Sequence, residues 1–253
     1  MANFGDGPQW LLALQQGWDG QLTLPMGVNV TFTGHIAGDT NTFRFVGKGV
    51  EFIATWNPAD NGMHGNAWFY SKNQAYVLEF CGQDGHIWKT MDSTAFGKDF
   101  YQKSEDMDKP IEGRRDDNRT VVTYYIKVYY THDFAAHTPS VLGFVLQMIA
   151  VTNQGYVNSQ VPLVAKLLCI EFTDIGEDKV PNNMLSNFTS MKSPLNTLRG
   201  SADVASLLVN SLGTCGIGYQ NTIASGLTLS VVRKNCASTT FSFGHAVGHN
   251  IVL

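Results

Sequence analysis

Two histidines near the carboxyl end of the chain have the spacing of a metal-binding pair. His245 and His249 stand four residues apart in the string Gly244-His245-Ala246-Val247-Gly248-His249-Asn250. On a helix, residues at this spacing share one face, so their imidazole nitrogens can converge on one tetrahedral Zn²⁺ ion. The plain alternative is a pair of solvated or core histidines, because the chain contains seven His in all.

The composition restricts the class of partner. Charged residues make up only 15% of the 253 residues, and the formal net charge is -4. Phosphate binding needs a concentrated Lys and Arg surface, and the chain has no basic cluster, so we expect no nucleic-acid partner. The longest apolar run, near residues 141–151, is too short to span a bilayer, so we expect no membrane span.

The first hundred residues have the pattern of a small antiparallel β domain. Short apolar runs with period-two alternation are separated by Gly, Asn and Asp clusters, as in antiparallel strands joined by turns. The predicted strands are 28–33, 42–46, 50–55, 67–70, 75–80 and 86–90. Residues 97–120 are polar and charged, and we interpret them as a linker.

After this segment the pattern changes to alternating strands and helices. The predicted strands are 121–130, 161–173 and 204–209, and the predicted helices are 141–157, one within 184–198, and a final stretch that includes the C-terminus. Thr138 could cap the first helix, with Pro139 in its first turn. Such alternation predicts a largely parallel sheet covered by helices. We therefore predict an α+β or α/β protein with two domains, 1–115 and 116–253.

The string around the His pair resembles the zinc helix of the reprolysin-like metzincins, which reads H-E-x-G-H-N and continues to a glycine and a third histidine. The likeness to peptidyl-Asp-type metallopeptidases runs from Val121 to the C-terminus. The matching segments are 125–131, 151–159, 203–208, 215–219, 230–232, Cys236 and 242–245. The resemblance implies a mixed, mainly parallel sheet with the zinc helix at the C-terminus. It also implies a zinc metalloendopeptidase activity.

Two departures from the family pattern bear on that activity. The family's general base is a Glu after the first His, and this chain has Ala246 there. Loss of such a base typically removes a factor of about 10² to 10⁴ in rate. The sequence also stops at Leu253, before the family's third His and Met-turn, which predicts a truncated domain. We therefore expect zinc to bind weakly or not at all, and peptidase activity to be impaired. Natural decay and deliberate inactivation both remain open.

The cysteines carry three further expectations. The resemblance implies a disulfide between Cys215 and Cys236, which would pin the strand before the zinc helix; reduced, buried thiols are the alternative. Cys169 is expected to be a small core residue. Cys81, followed by Gly82, matches the short form of a metzincin latency switch, in which a prodomain thiolate takes the fourth zinc position. A packed or unpaired thiol is the other interpretation of Cys81.

The resemblance also assigns roles outside the His pair. Residues 1–115 would be a propeptide, and Arg114 and Arg115 would suit a dibasic-specific processing protease, although adjacent Arg residues are common in exposed linkers. The substrate-binding edge strand would comprise Gly216, Ile217, Gly218 and Tyr219, which would align a polypeptide by β-addition; an ordinary short strand is the alternative. His132 and His137 are expected to be surface or capping residues.

Glycosylation sequons indicate the compartment. They begin at Asn29, Asn118 and Asn187, and glycosylation occurs only in the secretory pathway, although no signal peptide is visible. The sequence therefore predicts a secreted, zymogen-like relative of zinc metalloendopeptidases that acts on polypeptides or on another protease. The alternative is a non-catalytic binding or inhibitory protein, a pseudopeptidase that acts through its N-terminal domain.

Overall fold

The computed structural model describes residues 21–24, 27–35, 41–72, 74–82, 85–91, 120–191, 196–219 and 227–251. These residues form two β-sheets and six α-helices. The antiparallel first sheet and the mixed second sheet confirm the coarse prediction of an α+β protein.

The first sheet consists of seven antiparallel strands, each paired with its neighbours in sequence. The strands are β1 (Gln21–Leu24), β2 (Val28–His35), β3 (Thr42–Gly47), β4 (Val50–Asn57), β5 (Gly62–Phe69), β6 (Gln74–Phe80) and β7 (His86–Met91). Each of the six strands predicted in this region coincides with or overlaps one of β2 to β7. Period-two alternation was informative here because one face of the sheet covers a core, although β4 and β5 are buried on both faces.

This sheet curls around that core. The rings of Phe52 on β4 and Trp88 on β7 lie 5.4 Å apart, although two strands separate β4 from β7. Gly65 on β5 makes the approach possible, because an added Cβ there would lie 2.5 Å from the Phe52 ring. The concave face thus encloses an aromatic core, and the convex face is left to contact the rest of the protein.

The second sheet has five strands in the order β11-β12-β10-β8-β9. They are β8 (Val122–Tyr130), β9 (Leu163–Phe172), β10 (Val204–Val209), β11 (Gly216–Gly218) and β12 (Leu229–Arg233). Four of these strands are parallel, and β11 pairs antiparallel with β12 at one edge. The helices are α1 (His132–Ala136), α2 (Val141–Asn158), α3 (Pro181–Ser190), α4 (Asn196–Arg199), α5 (Lys234–Ala237) and α6 (Ser242–Asn250). No helix in the described part of the chain combines the length and apolar character needed to cross a membrane.

The start of α2 differs from the prediction. Ser140, not Thr138, caps the helix, because its Oγ accepts a hydrogen bond from the backbone N–H of Gly143 at 3.2 Å. The hydroxyl of Thr138 instead donates to the carbonyl of Phe134 at 2.7 Å. That carbonyl belongs to α1, a short helix that was not predicted and that ends just before Thr138.

Cys169 also differs from the prediction, since it is exposed and does not lie in the core. It stands on the edge strand β9, where Ile126 of β8 pairs with Leu167 and Lys127 pairs with Cys169. Leu168 is therefore the extra residue of a bulge, which places Cys169 on the same face as Lys127. An apolar run on an edge strand predicts a strand correctly but overestimates its burial.

Helix α2 lies between the two sheets and contacts both. Val145 and Met148 pack into the core of the second sheet. On the opposite side, the Gln147 Nε2 donates to the carbonyl of Ile53 on β4 at 3.0 Å and to the Asn66 Oδ1 on β5 at 3.1 Å. Every residue from 147 to 154 is consequently buried, as expected for a helix covered on all sides.

The contact between α2 and the first sheet generates a stability prediction. An added Cβ at Gly143 would lie 2.0 Å from the Nε2 of His64 on β5. We expect Gly143→Ala to lower the free energy of unfolding by about 1–3 kcal/mol, the usual cost of overpacking, as measured by urea denaturation. Gly248→Ala is the control, because open space surrounds that helical position. It should raise stability by roughly 0.5–1 kcal/mol. Equal effects of the two substitutions would contradict the described packing.

Candidate functional site

Helix α6 places the two histidine rings together. The Nε2 atoms of His245 and His249 lie 3.0 Å apart, and the ring planes are inclined by 83°. Two imidazole ligands at 2.0–2.1 Å from a tetrahedral zinc ion are separated by about 3.3 Å, so the observed spacing suits two corners of such a site. Partial desolvation of the otherwise exposed ring, and then the nearby His249, lower the pKa of His245 below 6.5. This favours the neutral imidazole that a metal requires.

The pair opens into a cavity of about 370 Å³ between α6 and the segment that contains β11. This volume is within the usual range of ligand pockets, about 300–1,000 Å³. The lining residues are Thr214, Cys215, Gly216, Ile217, Gly218, Ser242, His245, Ala246 and His249. The structure therefore brings the His pair and three of the four predicted edge-strand residues to one cavity.

Tyr219, the fourth predicted edge-strand residue, is not among the lining residues. Its hydroxyl lies 3.0 Å from the Thr189 hydroxyl on α3, and its ring packs in the core that covers the other face of the sheet. The side chain of Tyr219 therefore contributes to packing beneath the strand.

Strand β11 directs main-chain groups toward its open edge. The backbone N–H of Arg233 donates to the carbonyl of Cys215 at 2.9 Å, and that of Tyr219 donates to the carbonyl of Leu229 at 3.1 Å. Antiparallel pairing alternates, so the main-chain groups of Gly216 and Gly218 point away from β12. Among the described residues, no further strand pairs with this edge, so it can accept an additional extended strand.

Ala246 lies between the His pair and β11. Its side chain is 4% exposed, and its Cβ lies 3.9 Å from the position that a Cβ on Gly216 would occupy. The methyl group thus faces the glycine strand at the cavity wall. It can neither accept nor donate a proton, so this position contributes no acid–base chemistry.

Asn250 fixes the carboxyl end of α6. Its Nδ2 donates to the carbonyl of Tyr219 at 2.7 Å and to the carbonyl of Leu229 at 3.2 Å. These carbonyls follow β11 and begin β12, so one buried side chain joins the helix to both strands. Asn250 is part of the matched string, but no sequence pattern predicted this role.

The amino end of α6 begins from a left-handed residue. Phe241 precedes the helix with φ 53° and ψ 15°, and no side chain caps the helix start. This conformation costs a residue other than glycine roughly 1–2 kcal/mol. The Phe241 ring stacks on Trp68 of β5, with centroids 5.6 Å apart and planes inclined by 16°. No sequence pattern indicates this contact, because the two residues are remote in sequence.

The disulfide implied by the resemblance is present between Cys215 and Cys236. It joins the segment before β11 to α5, which follows β12. The guanidinium of Arg233 lies beside it, with Nη2 3.3 Å from the Cys236 Sγ. The disulfide therefore holds the edge strand next to its neighbour on the side of the cavity.

Other predicted site residues lie away from the cavity or outside the described ranges. Cys81 follows β6, and its backbone N–H donates to the carbonyl of Gly85 at 2.7 Å. Within the described ranges, no three His, Cys, Asp or Glu residues cluster as a metal site, so the structure does not bring Cys81 to the His pair. His132 is exposed and His137 caps the end of α1, as predicted. The described ranges do not include Arg114, Arg115 and Asn118.

Part of the chain is similar in sequence to bacterial metallopeptidases. It is 33% identical over 107 residues to the peptidyl-Asp metalloendopeptidase of Stenotrophomonas maltophilia strain K279a, covering 40% of this chain and 26% of that protein. It is 30% identical over 121 residues to the protein of the same description from strain R551-3, covering 46% and 29%. The aligned region thus spans little more than a quarter of these relatives. No family model matches the chain.

Two solved structures are similar at low sequence identity. Metalloproteinase-II from Bacteroides fragilis matches 89% of this chain and 72% of its own, with a TM-score of 0.44 and 11% identity. A structure described as a chaperone–substrate complex matches 70% of this chain and 26% of its own, with a TM-score of 0.42 and 13% identity.

Proposed function

We propose that this protein is a metzincin-like relative of secreted zinc metalloendopeptidases, impaired in hydrolysis, which binds zinc through His245 and His249 and polypeptides along β11. The observation that carries the proposal is the 3.0 Å approach of the two Nε2 atoms. They face a cavity whose opposite wall is a strand with an open edge. The partial similarity to peptidyl-Asp metalloendopeptidases supports the same conclusion.

Each residue of the site would have a different role. Zinc, when bound, supplies Lewis-acid polarisation of a peptide carbonyl. The two histidines would hold the ion as neutral nitrogen donors, and the main-chain groups of Gly216 and Gly218 would align an extended peptide beside it. Ala246 lacks the carboxylate that would take a proton from the attacking water. Peptide alignment and weak zinc binding would therefore be retained, and the proton-transfer step is the one that would fail.

The wider assignments belong to the same proposal. The first sheet would be propeptide-like, with cleavage after Arg114 or Arg115. A latency role for Cys81 would require a rearrangement that brings its thiol to the His pair, since the described structure keeps the two apart. The protein would be secreted, and the exposed side chains of two sequon residues, Asn29 and Asn187, would then be accessible to glycosylation.

A second candidate function is a pseudopeptidase that binds or inhibits another protease. The observation that favours it is an open β11 edge beside Ala246, since recognition needs the edge but not a general base. In that case the first sheet would contribute the surface that captures the active relative.

Zinc binding by the His pair can be measured directly. We expect isothermal titration calorimetry to detect one weakly bound zinc ion per chain, and His245→Ala or His249→Ala to weaken the affinity by about tenfold or more. Mutation of a group that only orients a metal ligand typically lowers metal affinity 10–100-fold, and loss of a direct ligand should lower it at least as much. His132→Ala is the matched control, because that histidine is exposed on α1. An equal loss in the control would show that zinc binds elsewhere.

Peptide hydrolysis should be absent or very slow. With added zinc, we expect the cleavage rate of fluorogenic peptides to stay at background, and addition of a chelator to leave that rate unchanged. A general base contributes about 10² to 10⁴ in rate, and Ala246 removes it. Chelator-sensitive turnover by the unmodified chain would refute the impairment.

The Ala246→Glu variant separates the two candidate functions. If the lineage is enzymatic, this variant, extended by a segment that supplies a third His, should cleave peptides in a zinc-dependent manner. If it stays inert while residues 1–115 bind an active metallopeptidase in a pull-down with purified proteins, the binding function is favoured. The unextended Ala246→Glu chain is the control for the contribution of the third ligand.

A further inference from the structure

We infer that Trp68, on the first sheet, is a positioning residue for the His pair, because it holds Phe241 in the left-handed conformation from which α6 begins. The inference rests on the proposed function only in treating His245 and His249 as the metal ligands. The first sheet would then help to set the distance between two histidines that both lie in the second half of the chain.

Strand β5 contacts the segment between α5 and α6 at three points. The Nδ2 of Asn66 donates to the Ser238 Oγ at 3.4 Å, and the Trp68 Nε1 donates to the carbonyl of Thr239 at 3.1 Å. The third contact is the stack between the rings of Trp68 and Phe241. Trp68 is 2% exposed, so both the ring and its N–H are used within the protein. The segment before α6 therefore lies against β5.

The conformation of Phe241 sets the first turn of α6. The first hydrogen bond of the helix runs from the backbone N–H of His245 to the carbonyl of Phe241 at 2.8 Å. A change of φ and ψ at Phe241 would redirect that carbonyl and shift His245 with it. His249 lies one turn later, near the end that Asn250 fixes. The two ligands are thus held from opposite ends of the helix, and their separation depends on both.

The stack compensates for the backbone conformation. A left-handed conformation costs a residue other than glycine about as much free energy as an aromatic pair contributes. The stack can therefore offset most of the penalty at Phe241. Removal of either ring takes away this contribution. Phe241 also packs against the cluster that includes Ala150 and Val151 of α2, so the stack is the part of its compensation that the first sheet supplies. Glycine at position 241 would adopt the same conformation with almost no penalty and would not need the stack. This difference separates positioning by Trp68 from ordinary core packing.

The test compares four variants of the full chain: Trp68→Ala, Phe241→Ala, Phe241→Gly, and the double variant Trp68→Ala/Phe241→Gly. Amide hydrogen exchange of residues 242–250 reports the helix itself, and zinc calorimetry reports the pair. We expect Trp68→Ala and Phe241→Ala to raise exchange in the first turn and to weaken zinc affinity, each by about tenfold, which corresponds to about 1.4 kcal/mol. The double variant should recover to within about threefold of the unmodified chain.

The control is Trp56→Ala, which removes a buried tryptophan from the opposite face of the same sheet, in its concave core. It should lower overall stability without a selective change at residues 242–250. Unchanged exchange in Trp68→Ala would overturn the inference, as would a double variant no better than Trp68→Ala. If Trp68→Ala does not fold, equal exchange in Phe241→Ala and Phe241→Gly would overturn it. If the unmodified chain binds no zinc, the proposed function fails, and the exchange data still decide the role of Trp68.

Discussion

The candidate site depends on how firmly α6 is held against the second sheet. An isolated nine-residue helix is marginal in water, so its position must come from tertiary contacts. Asn250 ties its last turn to β11 and β12, and Phe243 and Val247 are buried beneath the sheet. The convergence of two exposed or half-buried imidazoles is a consequence of these buried contacts.

Helix α2 connects this arrangement to the first sheet. It packs on the second sheet through Val145 and Met148, and it receives the convex face of the first sheet through Gln147. At Gly244, an added Cβ would lie 3.1 Å from the Thr152 side chain, so α6 and α2 approach closely. The layers are therefore in direct contact, and a change on β5 can reach the His pair without any contact with the cavity.

The sequence predicted most elements but few of the contacts that position the site. Period-two alternation located β2 to β7, and the spacing of His245 and His249 predicted that their rings converge, because both patterns are local. Cys169 was misjudged because a local pattern cannot show that β9 is an edge strand. The stack of Trp68 on Phe241 and the two hydrogen bonds of Asn250 join segments remote in sequence. No pattern in a single sequence specifies such pairs.

The central claim is that the two imidazoles form part of a zinc site beside an open strand edge. Anomalous diffraction from zinc-soaked crystals, recorded on both sides of the zinc absorption edge, tests it most directly. A zinc site held by this pair should give one strong peak about 2.0–2.1 Å from the Nε2 atoms of both His245 and His249. A peak at other residues, or rings that diverge with no peak between them, would contradict it.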